Sequence, residues 1–245
     1  MSIRLHRRLT RRVSFTLVHL LLLLTISAPA VFADELAIWN FNDSDLIVDQ
    51  GSGFLLSDFN AANILFAAGT TNNARLGQPA GQALSLQGGT ATANNGRNLT
   101  FNVSTLGFSN ILVSFATQGT STGFNSNQFQ YSLDGITFID FGLPYAPQST
   151  FGTVPVVFSL VDIAELNDNP NAAFRIIFNG ATTSTGNNRI DNFVVEGSAT
   201  APEGVPEPAT AILLLSGLGG LYGLKKRKRE AAPETIRSGA SQAAP

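Results

Sequence analysis

The sequence predicts an all-β domain built as an antiparallel two-sheet sandwich, and three observations lead to this prediction. Short runs rich in Val, Ile, Phe and Thr are separated by clusters of Gly, Asn, Ser and Asp, at a spacing typical of all-β folds. The chain has only one short helical pattern, whereas a parallel sheet needs several crossover helices. Eighteen phenylalanines supply large apolar side chains for a core between the sheets.

Ten strands are predicted in order along the chain. We place them at 36–42, 62–68, 82–87, 98–103, 110–117, 127–133, 136–141, 154–160, 172–180 and 188–197. Between the sixth and seventh, Asp134-Gly135 is predicted as a two-residue turn, because such a turn matches the twist of the flanking strands. The helical pattern is a single turn that Asp162 is expected to cap, before Pro170.

Alternation along these strands predicts which aromatic side chains form the core. The expected core phenylalanines are Phe101, Phe115, Phe129, Phe138, Phe158, Phe178 and Phe193. Trp39, the only tryptophan, has two interpretations that stay open, a core residue of the first strand or a stacking platform for a sugar ring. Tyr131 and Tyr145 are further candidates for glycan contact.

The first 33 residues predict a secretory signal peptide. A charged start, "MSIRLHRRLTRR", precedes an apolar stretch and the small-residue exit "SAPAVFA". Cleavage is expected after Ala33, with Ala30 as the alternative. The folded domain is therefore predicted at 34–198.

The composition of 34–198 excludes several functions. It holds thirteen acidic residues and four arginines, with no lysine, for a net charge of −9, and this acidity argues against binding nucleic acid. The chain has no cysteine, and its two histidines, His6 and His19, lie in the predicted signal peptide. Nucleophiles activated by histidine, thiolate chemistry and zinc sites built on His or Cys are therefore not expected.

Carboxylates are the remaining candidates for binding or catalysis. Asp43 and Asp45 follow the first strand, and Asp191 in the last strand is expected to approach them, which predicts a structural calcium site. The alternative for the first two is a polar turn bonded to its own backbone. For Arg189 and Asp191, which lie on the same face of a strand, an ion pair or a loop-pinning arginine is expected in preference to catalysis. No cofactor other than calcium is expected.

The C-terminal region has three parts in a fixed order. Residues 199–208 form a proline-containing linker, and 209–224 form an apolar run that spans about 24 Å as a helix, short for a hydrocarbon core of about 30 Å. A basic cluster opens the 225–245 tail and is expected to hold that end on the cytoplasmic side. The cluster consists of Lys225, Lys226, Arg227, Lys228 and Arg229.

This arrangement resembles the PEP-CTERM sorting signal of Gram-negative bacteria. The motif residues are Val205, Pro206, Glu207, Pro208 and Ala209, followed by the apolar run and the basic cluster. The resemblance implies export by the secretion machinery, a transient stay in the inner membrane, recognition by an exosortase, a membrane transpeptidase, and final placement at the cell surface or in the extracellular matrix. One departure is the 16-residue extension after the basic cluster.

The body of the chain is similar to exported sandwich domains that precede this signal, on the residues "YSLDGITF" and "NRIDNFVVEG". That similarity implies a jelly-roll or galactose-binding-like architecture. Two functions are then compared. The favoured one is a non-catalytic surface or matrix protein associated with extracellular polysaccharide. The alternative is a secreted polysaccharide hydrolase that uses an aspartate pair.

Overall fold

The computed structural model describes residues 33–200, which form twelve strands in two antiparallel sheets. The seven-stranded sheet contains β1 (Asp34–Trp39), β2 (Gln50–Gly51), β4 (Ile64–Ala68), β5 (Gln82–Gln87), β7 (Phe108–Gly119), β10 (Val156–Ser159) and β12 (Asn187–Ala199). The five-stranded sheet contains β3 (Phe54–Ser57), β6 (Arg97–Asn102), β8 (Gln128–Ser132), β9 (Phe138–Asp140) and β11 (Ala173–Phe178). Three short 3-10 turns lie at Ala61–Asn63, Thr90–Thr92 and Ala164–Leu166. The predicted all-β sandwich is confirmed.

The long strand β12 organises the seven-stranded sheet. It pairs with β7 along one side, while on the other side β5 pairs with its first residues and β1 with its last. A β-bulge separates these two partners, because the three steps from Asp191 to Val194 face only two on β7. Asn192 occupies the bulge with a left-handed φ of 48°.

The core is a cluster of aromatic rings between the sheets. The rings of Phe101 and Phe193 stack with centroids 3.5 Å apart, and Trp39 meets Phe101 edge-on at 5.1 Å. Trp39 is 0% exposed, and its indole N–H donates to the carbonyl of Leu46 at 3.2 Å. Of its two interpretations, the structure places Trp39 in the core, where it offers no face to a ligand.

The hairpin of β8 and β9 forms as predicted, but its turn is wider than two residues. Ser132 pairs with Phe138, so residues 133–137 make the connection. The Asp134 carboxylate accepts hydrogen bonds from the N–H groups of Ile136 and Thr137 at 2.8 and 2.7 Å, and these bonds hold its pKa well below its ordinary value. A side-chain cap of this kind closes a longer loop than the predicted turn.

Two smaller predictions were wrong. Phe138 is not a core residue, because it shares the outer face of its strand with Asp140 and lies under the guanidinium of Arg175. Asp162 does not cap the 3-10 turn near it, since Ile163 precedes that turn and makes no side-chain capping bond.

The outer face of the seven-stranded sheet is covered by the 69–81 loop, which joins β4 to β5. The loop donates from the Thr70 N–H to Asp191, and Asn73 binds both Ser114 and the Asn192 carbonyl. Arg75 forms ion pairs with Glu35 and Glu196, at 3.3 and 2.6 Å. Side chains on this face, among them Ile38 and Val194, are consequently buried.

The predicted signal peptide, sorting motif, apolar run and basic cluster lie outside the described residues. Within 33–200, the only helices are single 3-10 turns, far too short to span a membrane.

Candidate functional site

The outer face of the five-stranded sheet, called the open face below, carries the exposed side chains of Phe54, Leu56 and Asp140. Its strand order is β3, β6, β11, β8 and β9. Strand register aligns the outward side chains in rows that cross the sheet. One row is Phe54, Asn102, Ala173, Ser132 and Phe138, and the next is Leu56, Thr100, Arg175, Gln130 and Asp140.

The first row carries an aromatic ring at each end. Phe54 on the edge strand β3 is 57% exposed, and Phe138 on the opposite edge strand β9 is half-buried. Four strand spacings separate them, which is about 19 Å. Between the two rings the side chains of Ala173 and Ser132 are small and fully buried. The face therefore has aromatic side chains at its edges and small, enclosed side chains between them.

Arg175 lies in the centre of the second row and is held from two sides. Its Nε–H donates to the Thr100 hydroxyl at 2.9 Å, and its guanidinium carbon lies 3.4 Å from the centroid of the Phe138 ring. Burial lowers the pKa of this guanidinium, and the nearby Asp58 carboxylate opposes that shift. Beside it, the Gln130 amide donates to Asp140 at 2.7 Å.

Two amide atoms on the open face have no hydrogen-bond partner among residues 33–200. They are Nδ2 of Asn102 and Oε1 of Gln130, both shielded by neighbouring side chains. Buried polar atoms normally find partners, and leaving one without a partner costs stability. Because both atoms are enclosed by the protein, they are a local cost in stability and are not open to a ligand.

A cavity of about 360 Å³ adjoins the Phe54 end of the first row. Its walls include Ser52, Phe54, Asn102, Ser104 and Asp134, and Asp134 is the one charged residue that lines it in the described domain. The cavity combines an exposed aromatic ring with amide and hydroxyl groups. That combination suits a ligand rich in hydroxyl groups.

The tyrosines named from the sequence lie away from the open face. Tyr131 is buried and meets Phe141 edge-on with ring centroids 6.2 Å apart. Tyr145 lines a second cavity of about 290 Å³, together with Thr117, Gln148 and Val156. The Tyr145 hydroxyl is buried without a partner within residues 33–200, and burial raises its pKa.

The three aspartates expected to bind calcium are not gathered at one point. Asp43 and Asp45 lie in the turn after β1, where Asp45 accepts the N–H of Ile47 at 2.7 Å. Asp191 lies in β12 beneath the 69–81 loop. In the described part of the chain, no group of three or more Asp, Glu, His or Cys side chains is placed to hold a metal ion.

Asp191 instead anchors the loop above it. Its carboxylate accepts the N–H of Thr70 at 2.7 Å and of Asn192 at 2.8 Å, while burial raises the pKa of Asp191 to about 7. Asn192 donates to the carbonyls of Thr70 and Asn72, both at 2.9 Å. Arg189 donates to the carbonyl of Ala68 at 3.2 Å, which agrees with its interpretation as a loop-pinning arginine.

The sequence did not single out the residues that define the open face. Phe54 and Leu56 belong to β3, which was not predicted. Arg175 was counted only as a charge, although it is the one charged residue in the otherwise apolar strand β11. A lone arginine in such a strand must face away from the core, and this signal was available.

Comparisons with known proteins give no family model that matches and no match among curated proteins. Solved structures similar to this chain include TmCBM61 in complex with beta-1,4-galactotriose, at 11% identity and a TM-score of 0.40, covering 64% of this chain and 92% of that one. The CBM22-1 xylan-binding domain of Paenibacillus barcinonensis Xyn10C has 11% identity and a TM-score of 0.42, with 70% and 99% covered. Domain 4 of AbnA, a GH43 extracellular arabinanase of Geobacillus stearothermophilus in complex with arabinotriose, has 14% identity and a TM-score of 0.40, with 69% and 95% covered.

Proposed function

We propose that this chain is an exported, non-catalytic protein whose sandwich binds extracellular polysaccharide on the open face. The observation that carries the proposal is the first row, in which the exposed ring of Phe54 stands at one edge beside Asn102 and Phe138, packed against Arg175, stands at the other. The exposed ring of Phe54 offers an apolar face to a sugar ring, and the half-buried amides Asn102 and Gln130 lie on the same face of the sheet. The row length of about 19 Å fits an extended chain better than a single small molecule.

A hydrolase on this face is not favoured by the positions of its carboxylates. Glycoside hydrolysis needs two carboxyl groups about 5 to 9.5 Å apart. Asp58 follows β3 at one edge and Asp140 lies in β9 at the other, so four strand spacings, about 19 Å, separate their strands. Each is also bonded to an amide, Asp58 to Asn98 and Asp140 to Gln130.

Replacing Phe54 with alanine is expected to weaken polysaccharide binding about tenfold or more, because stacking on an exposed aromatic ring is lost. Affinity electrophoresis of the full chain in gels containing polysaccharides chosen from a glycan array measures the loss. The matched control is Leu65→Ala, since Leu65 is 41% exposed but lies on β4 of the other sheet. Equal retardation of both variants and the unmodified chain would place the binding surface elsewhere.

The sorting part of the proposal rests on the sequence alone. The Pro206-Glu207-Pro208 motif, the apolar run 209–224 and the basic cluster 225–229 follow each other in the order of an exosortase substrate. In this proposal the secretion machinery exports the domain, the apolar run holds it at the inner membrane, and an exosortase then releases it to the surface or matrix.

Mass spectrometry of the mature protein from its own host is expected to find a chain that begins at Asp34 and ends near Pro206 to Pro208. Glu207→Ala is expected to leave the full C-terminus in place and the protein in the membrane fraction. Glu203→Ala, four residues upstream in the same linker, is the control and should be processed normally. A mature chain that keeps residues 209–245 contradicts the sorting proposal and leaves the binding proposal intact.

A further inference from the structure

We infer that Arg175 selects carboxylate-bearing polysaccharides, so that the open face prefers chains containing uronic acid units over neutral ones. The inference rests on the proposed polysaccharide binding and names the ligand class for the same surface.

Arg175 differs from the other three arginines of the described domain. Arg75 is paired with Glu35 and Glu196. Arg189 bonds the Ala68 carbonyl, and Arg97 is exposed at the first position of β6. Arg175 alone is held in place by a hydrogen bond and an aromatic ring on the outer surface of a sheet.

The contacts that hold Arg175 leave the two terminal NH₂ groups of its guanidinium without a hydrogen-bond acceptor in the described domain. Only Nε donates within residues 33–200, and the two terminal NH₂ groups have no acceptor there. The Phe138 ring and the Thr100 hydroxyl fix the plane of the guanidinium, which reduces the entropy lost when a ligand binds. A planar fork with both terminal nitrogens unused matches the two oxygens of a carboxylate.

The neighbouring carboxylates of Asp58 and Asp140 do not pair with the Arg175 guanidinium. Asp140, two positions along the row, accepts from Gln130, and Asp58 is bonded to the backbone and side chain of Asn98. The side chain of Gln130 therefore lies between Arg175 and Asp140 in the row. A ligand carboxylate above Arg175 meets the one positive group near the centre of the face, while the carboxylates of Asp58 and Asp140 lie toward its edges.

The net charge of the domain separates the effect of a local contact from that of long-range electrostatics. Residues 34–198 carry a net charge of −9, so long-range electrostatics favour a neutral polymer over an anionic one. A preference for the anionic polymer must therefore come from a local contact, and Arg175 is the cation at the centre of the face.

The test compares uronate polymers with neutral partners of the same backbone. Polygalacturonate, alginate and xanthan are each used beside their carboxyl-reduced forms, and binding of the full chain is measured by affinity electrophoresis at low and at physiological salt. The chain is expected to bind at least one uronate polymer about tenfold more tightly than its reduced form, as a charge-assisted pair allows, with the preference shrinking as salt rises.

Variants assign the preference to Arg175. Arg175→Gln removes the charge but keeps a planar amide, and it is expected to lose the preference for the uronate form of each pair while still binding the reduced polymers. Arg175→Lys keeps the charge without the fork and is expected to keep only part of the preference. Arg97→Gln removes the same charge from the start of β6 and should behave as the unmodified chain does.

The two proposals fail in different ways. Binding of the reduced polymers that equals or exceeds binding of the uronate polymers in every pair overturns the role of Arg175 and leaves polysaccharide binding in place. The same holds if Arg175→Gln keeps the uronate preference. Failure of the chain to bind any polymer, neutral or anionic, overturns the proposed function and the inference that rests on it.

Discussion

Replacing Trp39 with alanine is expected to lower the free energy of unfolding by about 3 to 5 kcal/mol, the range for removing a large buried aromatic side chain. The indole is fully buried and meets the rings of Phe101 and Phe193, with centroids 5.1 and 6.1 Å apart. These rings belong to opposite sheets, so the cavity left by the indole lies between the two layers. Its N–H bond to the Leu46 carbonyl is lost as well.

Urea unfolding followed by circular dichroism measures this loss, since the variant has no tryptophan to report by fluorescence. Trp39→Phe should cost less, because much of the volume is kept. Leu143→Ala is the control at an 86% exposed position and should change the free energy of unfolding by less than about 0.5 kcal/mol. A loss below about 1 kcal/mol for Trp39→Ala would contradict the central position of the indole in the core.

The second large effect is a fall in stability as pH rises, caused by Asp191. Burial raises its pKa from 3.8 to about 7 in the folded state, so the folded protein binds a proton more tightly than the unfolded chain. The contribution of this group is complete below pH 3.8, decreases as pH rises toward 7, and is absent above that value. Across the window it amounts to on the order of 4 kcal/mol.

The effect is isolated by comparing the chain with Asp191→Asn, which cannot titrate. The difference in unfolding free energy between the two proteins is expected to fall steadily from pH 4 to pH 8. Other carboxylates, including Asp49, whose pKa burial also raises, are present in both proteins and cancel in the difference. A difference that stays constant over this range would mean that Asp191 titrates in the folded state as it does in the unfolded chain.

Much of the architecture could be predicted because apolar and polar residues alternate along a strand that has one buried face. Each of the ten predicted strands overlaps an observed one. β2 and β3 could not be found in this way, since β2 has only two residues and β3 exposes Phe54 and Leu56 on its outer face. With apolar residues on both faces, β3 shows no alternation, and its pairing with β6 is what makes it a strand.

The open face was harder to predict than the sandwich, because strand periodicity indicates which residues share a face but not which face is inside. Phe138 was assigned to the core by alternation along its strand, with the outer face taken as the inner one. Asp140, on the same face of β9, is exposed, and this parity places Phe138 outside. The packing of Arg175 over Phe138 depends on the order of β11, β8 and β9, which no local pattern reveals.

The pairing of Asp34 with Gly197 has a mechanical consequence if the domain is held at a surface, as proposed above. Because β1 and β12 are antiparallel neighbours, a pull applied through both ends of the domain acts on the first rung of their ladder and opens it one hydrogen bond at a time. A pull through the C-terminal end alone, opposed by a bound ligand, acts along the long strand β12. The force is then distributed over the hydrogen bonds that β12 makes with its partner strands on both sides. Removal of an N-terminal attachment would therefore spare β1 from being peeled away.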